Sequence, residues 1–576
     1  MPNQTRGPSV ASLNQSFTKS STILEEYYLT YIHKFSGLHL VTLTAGYSAQ
    51  TYSGNTFGAA RTGFADTSAA QRVLSLGVSS SASNFGSNSN PWGLQSYFIR
   101  GNYAFENKYL FTATMRADGS SMFAPGKQWG YFPAFSAGWR ISDEKFYGEG
   151  LKKVINSLKI TGGWGQLGNE NVGAFQYLSL IGTGGGGGTG GGGYGYNLGT
   201  SQTNNNGAYI TSLANTNITW ERAVMTNISA ELSALHNHLT ATVTYFNKNT
   251  TDMLIPYQIV ETFGAQTNLP DDPGNVNLPD YNLGSLNNHG VEIEAEYRNT
   301  VGKVSYSFGG NASFMSNKVT KLYGANQYLA STPYGRENTD ISRTYQGEPI
   351  ASFYGFKTNG LYQSQSDIDK DPNVANDPNR PNIQPGDVRF LNTTGSGVIN
   401  DSSRVRLGDP NPRFVFGFHG TVNYAHFDLS FNFKGATGFE LYDADRLSGL
   451  DATQVYNWYA DEEKRWHGAG TSNSIPRLSI NNLNNNYQSS DLWVFKGNYL
   501  SLKSIALGYT VSKLHISDWE LPTARFYVSA YNVFTITKYP GYTPELGYTD
   551  GNLQRGVDLA QYPQTRSLTV GATINF

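Results

Sequence analysis

The chain has 576 residues, of which 38% are hydrophobic and 14% aromatic, and its 41 Lys and Arg nearly balance 43 Asp and Glu. A net charge of -2 lacks the basic excess of nucleic-acid-binding proteins, so no nucleic-acid partner is predicted. The absence of cysteine excludes disulfides, thiolate metal sites and cysteine nucleophiles. With a mean hydropathy of -0.42 and no apolar run near the ~18 residues of a membrane helix, the chain is not a helical membrane protein.

The N-terminal segment, residues 1–22, contains no apolar stretch of the kind that forms the centre of a signal peptide. No signal peptide is therefore predicted, and the segment is expected to be unstructured or a remnant. The first strand is predicted to begin near Ile23, where apolar residues start to recur.

From there on, apolar and polar residues alternate in segment after segment. Residues 27–35 lead through a turn at Ser36 and Gly37 into residues 41–50, and residues 97–105 lead through the polar turn 106–108 into residues 109–118. A period of two describes a strand with one apolar and one polar face, so each pair of segments predicts a hairpin.

The segment Val291–Arg298 indicates what lies against each face. Glu292, Glu294 and Glu296 alternate with apolar or aromatic residues, and three neighbouring carboxylates need water. Their face would be the outer surface of a soluble sandwich or the wet interior of a large barrel, and this segment alone leaves both open. Roughly fifteen such segments, with almost no helical periodicity, favour the barrel. The predicted fold class is all-β, a transmembrane antiparallel β-barrel, with these three glutamates lining its lumen.

Long polar connections separate the predicted strands. Residues around 184–206, 256–288, 364–410 and 437–492 are expected to be extracellular loops, because barrels of this kind carry their long loops outside the cell. In the last loop Trp458, Tyr459 and Trp466 are candidate ligand contacts, since flat rings stack on sugars and peptides. The alternative, which the ordinary role of loop aromatics favours, is that they pack the loop itself. Trp493 is predicted to belong to the interfacial aromatic girdle.

Enzymatic motifs are not apparent in the sequence. The 9 His are scattered, and HExxH, GxSxG and P-loop patterns are absent. No catalytic residue, cofactor or metal site is predicted, although a Ser and a His that meet from different strands stay an open alternative.

The C-terminal residues 566–576 alternate without a break, as one membrane-crossing strand of about ten residues requires. Leu568, Val570, Ala572 and Ile574 share the face of the terminal Phe576.

Several of these segments together resemble one family. They read GEPIASFYGFKTNGLY at 347–362, then Pro385-Gly386-Asp387, GDPNPRFVFGF at 408–418, YLSLKSIALGY at 499–509 and YNVFTITKYPGYTPE at 531–545. From about Ile23 to Phe576 the chain resembles the C-terminal barrel part of SusC/RagA-type TonB-linked outer-membrane proteins, which import nutrients.

The resemblance implies a barrel of about 22 strands closed by an N-terminal plug. Because fewer strands and no plug are found here, the barrel is expected to be incomplete, with the plug and first strands absent. The implied partners are a SusD/RagB-like surface lipoprotein that captures oligosaccharide or peptide, TonB acting through the missing N-terminal region, outer-membrane lipid, and the barrel-assembly machinery, which recognises Phe576.

One departure from the family pattern concerns an Asp-rich, calcium-like loop. The matching stretch, residues 392–401, begins Asn-Thr-Thr-Gly-Ser-Gly-Val-Ile, with Asn, Thr and Ser in place of carboxylates. Calcium prefers several charged oxygens, so no tight calcium site is expected, although the turn itself is.

Two other functional classes stay open. A passive porin or surface glycan-binding barrel without TonB coupling would show size-dependent diffusion in a liposome swelling assay. A soluble secreted sandwich that binds glycans would be recovered in the aqueous phase without detergent.

Overall fold

The computed structural model describes residues 10–66, 68–183, 195–198, 203–206, 208–256, 278–322, 328–334, 339–451, 453, 457–516, 519–547 and 552–575. Within them 15 long strands follow one another in chain order in one sheet. They are β1 Ser12–Phe35, β2 His39–Thr62, β3 Ser83–Phe105, β4 Tyr109–Ser120, β5 Trp129–Arg140, β6 Ile155–Asn169, β7 Glu221–Ala234, β8 Leu239–Pro256, β9 Asp280–Val301, β10 Val304–Leu322, β11 Phe414–Tyr424, β12 Phe427–Thr437, β13 Tyr499–Ile516, β14 Trp519–Thr537 and β15 Ser567–Asn575. The predicted all-β class is confirmed.

In the N-terminal part, β1 extends beyond the segment in which apolar and polar residues alternate. β1 begins at Ser12, so residues 12–22, expected to be unstructured or a remnant, lie in a strand paired with residues 52–62 of β2. This stretch consists mainly of Ser, Thr, Asn and Gln, and most of its residues are exposed. Without a buried face it shows no alternation, which explains why the sequence pattern missed it.

The first of two compact units comprises Met1–Ser136, Gly165–Ala223 and Asp252–Asn282. In it β1, β2, β3 and β4 form antiparallel hairpins, and the turn at Ser36 and Gly37 has φ of 47° and 69°. Its buried cluster includes Phe123, Phe132 and Trp220, whose indole Nε1 donates to the backbone oxygen of Gln128 at 2.9 Å. Further strands are Leu180–Thr183, Gly195–Leu198, Thr203–Asn206 and Ala208–Ser212, and 3-10 turns are Ala69–Gln71, Leu74–Leu76 and Ser79–Ser81.

The second unit comprises Ala137–Trp164, Val224–Thr251 and Leu283–Phe576. Its strands from β9 onward are separated by three long connections, 323–413, 438–498 and 538–566, which we call the insertions. They contain helices α2 Gln365–Asp369 and α3 Ala444–Leu450, while α1 Glu149–Val154 precedes β6. Their short strands are Tyr328–Ala330, Pro333–Tyr334, Thr339–Asp340, Ser342–Tyr345, Ser352–Gly355, Thr358–Leu361, Val388–Phe390, Val405–Gly408, Glu440–Asp443, Val494–Lys496 and Val557–Asp558. The 3-10 turns of this unit are Ile141–Asp143, Lys145–Tyr147, Pro372–Val374, Arg380–Asn382, Asp401–Ser403, Ala460–Lys464 and Asp491–Trp493.

The insertions have a hydrophobic core of their own. Phe353 and Tyr442 are 0% exposed and belong to one cluster with Leu447, Leu450 and Trp493. Trp493 is only 3% exposed, so its predicted place in the aromatic girdle is wrong: its indole lies in this core and donates to the backbone oxygen of Gln488 at 3.1 Å.

No helix in the described ranges is long and apolar enough to cross a membrane.

Candidate functional site

One face of β9, β10 and β11 is polar and carries the three glutamates of the sequence prediction. Glu292 pairs with Ser313, Glu294 with Asn311 and Glu296 with Gly309. Asn311 and Gly309 in turn face Gly417 and His419 of β11. Glu292 and Glu294 are exposed, whereas Glu296 is half-buried and accepts a hydrogen bond from Ser307 Oγ at 2.7 Å. Their role in lining a lumen stays a prediction.

The opposite face of the same strands is aromatic and exposed. Phe314 pairs with Phe414, and the rings of Phe418 and Phe431 lie 5.6 Å apart. Phe314 and Phe418 are 49% and 44% exposed. Such a contiguous apolar face is unfavourable in water and suited to contact with hydrocarbon.

The C-terminal strand continues the apolar face. In β15 Leu568 and Val570 are 74% and 76% exposed, and Val570 pairs with Val528 of β14. Phe576, the predicted barrel-assembly signal, lies outside the described residues.

The three candidate loop aromatics have different surroundings. Trp458 is 43% exposed. Tyr459 is half-buried: its backbone N–H donates to Gly449 O at 2.9 Å, its hydroxyl donates to Asp445, and its ring packs on the core of the insertions. Burial and the Asp445 carboxylate raise the pKa of Tyr459. Ligand contact by these residues stays a prediction, for which Trp458 has the most accessible side chain of the three.

Trp466 lies against the turn Pro385-Gly386-Asp387. Gly386 has a φ of 91°, and a Cβ added there would come within 2.3 Å of the Trp466 ring. The indole Nε1 donates to Gln363 Oε1 at 3.2 Å. Glycine is therefore required both by the backbone conformation and by the close approach of the ring.

Asp387 of the same turn holds distant segments together. It is 0% exposed; its Oδ1 accepts from Arg477 Nε at 2.7 Å and from Asn486 Nδ2 at 3.0 Å, and its Oδ2 accepts from Gln384 N at 2.9 Å. A buried carboxylate with so many donors is fully compensated, so this turn is rigid.

A second network joins two buried arginines to two aspartates, of which Asp340 is half-buried and Asp401 is exposed. Arg343 Nε donates to Asp340 Oδ2 at 2.7 Å, Arg404 Nη1 donates to Asp340 Oδ1 at 2.9 Å, and both arginines also contact Asp401. Burial acts to raise the pKa of Asp340, but hydrogen bonds and charge from the two arginines outweigh it and hold the pKa below the usual range. The four charges neutralise one another.

Sequence reasoning did not find this network. Asp401 ends the degenerate loop, and Arg404 follows it by only three residues, yet Asp340 is 64 residues from Arg404. No local periodicity links the two, although the segment 347–362 that carries the family resemblance lies between them in the chain.

The degenerate loop forms a closed turn, as expected. Asn392 Oδ1 accepts from the backbone N–H groups of Thr394 at 3.0 Å and Ser396 at 3.2 Å, while its Nδ2 donates to Ser396 Oγ at 2.9 Å and to Val398 O. The side-chain amide thus occupies oxygens that a cation would need as ligands. No group of three or more His, Cys, Asp or Glu in the described part of the chain could hold a metal ion.

Comparison with known proteins identifies relatives of this architecture. The family described as TonB dependent receptor-like, beta-barrel, matches residues 3–396. TonB-dependent receptor P3 of Formosa agariphila is 29% identical over 97% of this chain and 53% of its own length. TonB-dependent receptor SusC of Bacteroides thetaiotaomicron is 26% identical over 84% of this chain and 44% of its own length.

Among solved structures, that of the RagAB peptide transporter superposes with a TM-score of 0.74 at 20% identity, covering 98% of this chain and 56% of the other. This likeness shows the fold. The chain spans about half the length of the curated relatives it matches.

Proposed function

The chain belongs to the TonB dependent receptor-like β-barrel family of the outer membrane, and we propose that it forms most of the wall of an active nutrient importer. The observation that carries this proposal is the two-faced wall: Glu292 and Glu294 are exposed on one face, and Phe314 and Phe418 are exposed on the other. A wall of this kind lets a polar solute pass while its outer side contacts lipid.

The proposed energy source is TonB, and the proposed partner is a SusD/RagB-like surface lipoprotein. The similarity to receptors named as TonB-dependent, to SusC, and to the fold in the RagAB structure supports both. The proposed substrates are oligosaccharides or peptides. We propose no catalytic step, since binding and conformational change suffice for import.

The experiment uses the complete open reading frame that contains this chain, in its own bacterium. A deletion strain is complemented with that frame and grown on single oligosaccharides or on a peptide digest as the limiting nutrient, with TonB present or deleted. Growth on at least one nutrient that requires both the frame and TonB supports active import.

Glu292→Gln/Glu294→Gln is the matched variant for the lumen, since it removes two charges and keeps the shape of both side chains. If these glutamates line the route, the variant changes the uptake rate of charged substrates while the amount of protein in the outer membrane stays constant. Uptake that persists without TonB, together with size-dependent liposome swelling, would instead identify a passive pore.

A further inference from the structure

The insertions form a partly open cavity of about 370 Å³. This lies at the small end of the ~300–1,000 Å³ range of small-molecule sites. Its apolar side includes Phe356, Val388 and Phe390, which are 7%, 1% and 3% exposed, and its polar side includes Asn484 and Gln488. An apolar lining with a few polar groups is the usual composition of a binding site.

Asn484 is held in a fixed orientation at this cavity. It is only 7% exposed, and its Nδ2 donates to Val388 O at 3.0 Å and to Asn486 Oδ1 at 2.9 Å. Asn486 is 0% exposed and donates in turn to Asp387, which Arg477 holds. Both amide hydrogens of Asn484 are thus used, while its Oδ1 accepts no hydrogen bond from any described residue. This oxygen is therefore free to accept a hydrogen bond from a ligand or from water.

Further hydrogen-bonding groups line the same cavity. The Thr339 hydroxyl, the Gln488 amide and the Asn400 Nδ2 have no hydrogen-bond partner in the part of the chain that the structure describes. Together with Asn484 Oδ1 they offer both donors and acceptors. A group that is donor and acceptor at once, such as a hydroxyl, can satisfy such a mixture.

The charges at the cavity do not favour an ion. Asp401 and Arg404 are among its lining residues, but they pair with each other at 3.0 Å and with Arg343 and Asp340. Asp377, the other lining carboxylate, accepts from the backbone N–H groups of Asn379 and Ile399, both at 2.8 Å. The charges at the cavity are therefore paired within the protein, and the buried Nε of Arg404, which has no hydrogen-bond partner among the described residues, adds one donor to the open groups.

We propose that this cavity binds a neutral, hydroxyl-rich ring, namely one or two sugar residues of a glycan. The apolar lining takes the C–H faces of the ring, and Asn484, Gln488 and Thr339 hydrogen-bond its hydroxyls. A site built to bond hydroxyls discriminates against ligands that lack them. The inference rests on the proposed import function, to which it adds a substrate class and a capture site.

The test measures ligand binding by the full chain, purified and folded in detergent micelles, with isothermal titration calorimetry. The probes are D-glucose, D-galactose and D-mannose as neutral sugars, D-glucuronate as an anionic sugar, and tri-alanine as a peptide. At least one neutral sugar is expected to bind, and more tightly than glucuronate or tri-alanine.

Thr339→Val and Gln488→Leu remove open polar groups while nearly keeping side-chain volume, and neither residue makes a side-chain hydrogen bond within the described chain. Each is expected to weaken sugar binding about fivefold, the effect of one neutral hydrogen bond. Gln365→Leu is the matched control, because Gln365 lies in α2 of the insertions but does not line the cavity, and it should leave binding unchanged.

Several results would overturn the proposal: no binding of any neutral sugar, tighter binding of glucuronate or tri-alanine, or equal binding by the cavity variants and the control. Thermal melting of each variant identifies loss of fold, and Asn484→Asp then serves as an additional cavity variant. The binding measurement does not depend on transport, so the two proposals can fail separately. TonB-independent growth with intact sugar binding would overturn active import only, whereas growth with no sugar binding would overturn the cavity only.

Discussion

The wall strands and the insertions of the second unit place their aromatic residues in opposite surroundings. In the wall Phe314 and Phe418 are 49% and 44% exposed, whereas in the insertions Phe353 and Tyr442 are 0% exposed. The insertions therefore bury their apolar groups within the protein, as a water-soluble domain does. The wall leaves its apolar side chains for the lipid to cover. The same residue type thus stabilises one region by internal packing and the other by membrane insertion.

The largest expected difference between the two regions comes from removing one phenylalanine from each. Phe353→Ala deletes a fully buried ring from the core of the insertions and should lower their free energy of unfolding by about 3–5 kcal/mol. Pulse proteolysis should then cut the insertions, while heat-modifiable migration of the barrel on a gel is retained. Phe418→Ala, in the wall, should leave the insertions as resistant as before. Equal proteolysis of the two variants would mean that the insertions have no independent core.

A pH dependence is the next largest effect and belongs to the insertions. Burial, aided by the charges of Asp558 and Asp445, raises the pKa of Asp443 to about 6, against the hydrogen bond from Arg446 N at 2.8 Å. Because the folded pKa exceeds the 3.8 of an unperturbed aspartate, the folded state holds the proton more tightly. Protonation of Asp443 should therefore contribute stability to the insertions, on the order of 2 kcal/mol, as the pH falls from above 6 towards 4.

Asp443→Asn should remove most of that dependence, since Asn keeps the N-cap acceptor of α3 without a titrating group. Melting curves between pH 4 and pH 7, over roughly the interval separating the two pKa values, measure the effect. Asp369→Asn, at an exposed carboxylate, is the control and should keep the dependence. A difference in melting temperature between Asp443→Asn and the unchanged chain that is the same at pH 4 and at pH 7 would contradict the assignment to Asp443.

The two candidate tryptophans allow a smaller test of the same contrast between packed and exposed rings. Trp466→Ala should destabilise the insertions by about 2 kcal/mol, because its half-buried ring covers Gly386 and contacts a hydrophobic cluster. Trp458→Ala should change stability by less than about 0.5 kcal/mol, because its ring is 43% exposed. Thermal melting separates the two variants. If Trp458 contacts ligand, its variant loses substrate capture without loss of stability, and unaltered capture would refute that role.

The smallest expected effect is that of calcium. The Asn392 amide donates to Ser396 Oγ and Val398 O inside the turn, so the turn is closed without a cation. Addition of calcium or of EDTA should leave the melting temperature unchanged. Asn392→Asp provides the contrast, since it removes the amide donor and adds a charge. A calcium-dependent rise in the melting temperature of the unchanged chain would show that the turn binds the ion.

Sequence periodicity predicted the wall well, because each alternation reflects two different solvents on the two faces of a strand. The C-terminal strand was expected at 566–576 and is found at Ser567–Asn575, and the turn at 106–108 lies between β3 and β4 as predicted. Strand segments without a buried or lipid-facing side, such as residues 12–22, have no such periodicity and were missed. Strand β9 begins at Asp280, inside the loop expected at 256–288. Its first residues are mostly polar and show no sustained alternation, so the sequence pattern missed them as well.

The sequence by itself therefore determined the all-β class, the two-faced strands and the membership of an outer-membrane barrel family, because these depend on local order along the chain. Only the tertiary structure decided which loop side chains meet. Asp340 lies beside Arg404 across 64 residues, and Asn484 bonds Val388 across 96 residues. Such contacts form when a buried polar group must find a partner wherever the folded chain brings one, and no short-range pattern in the sequence records that choice.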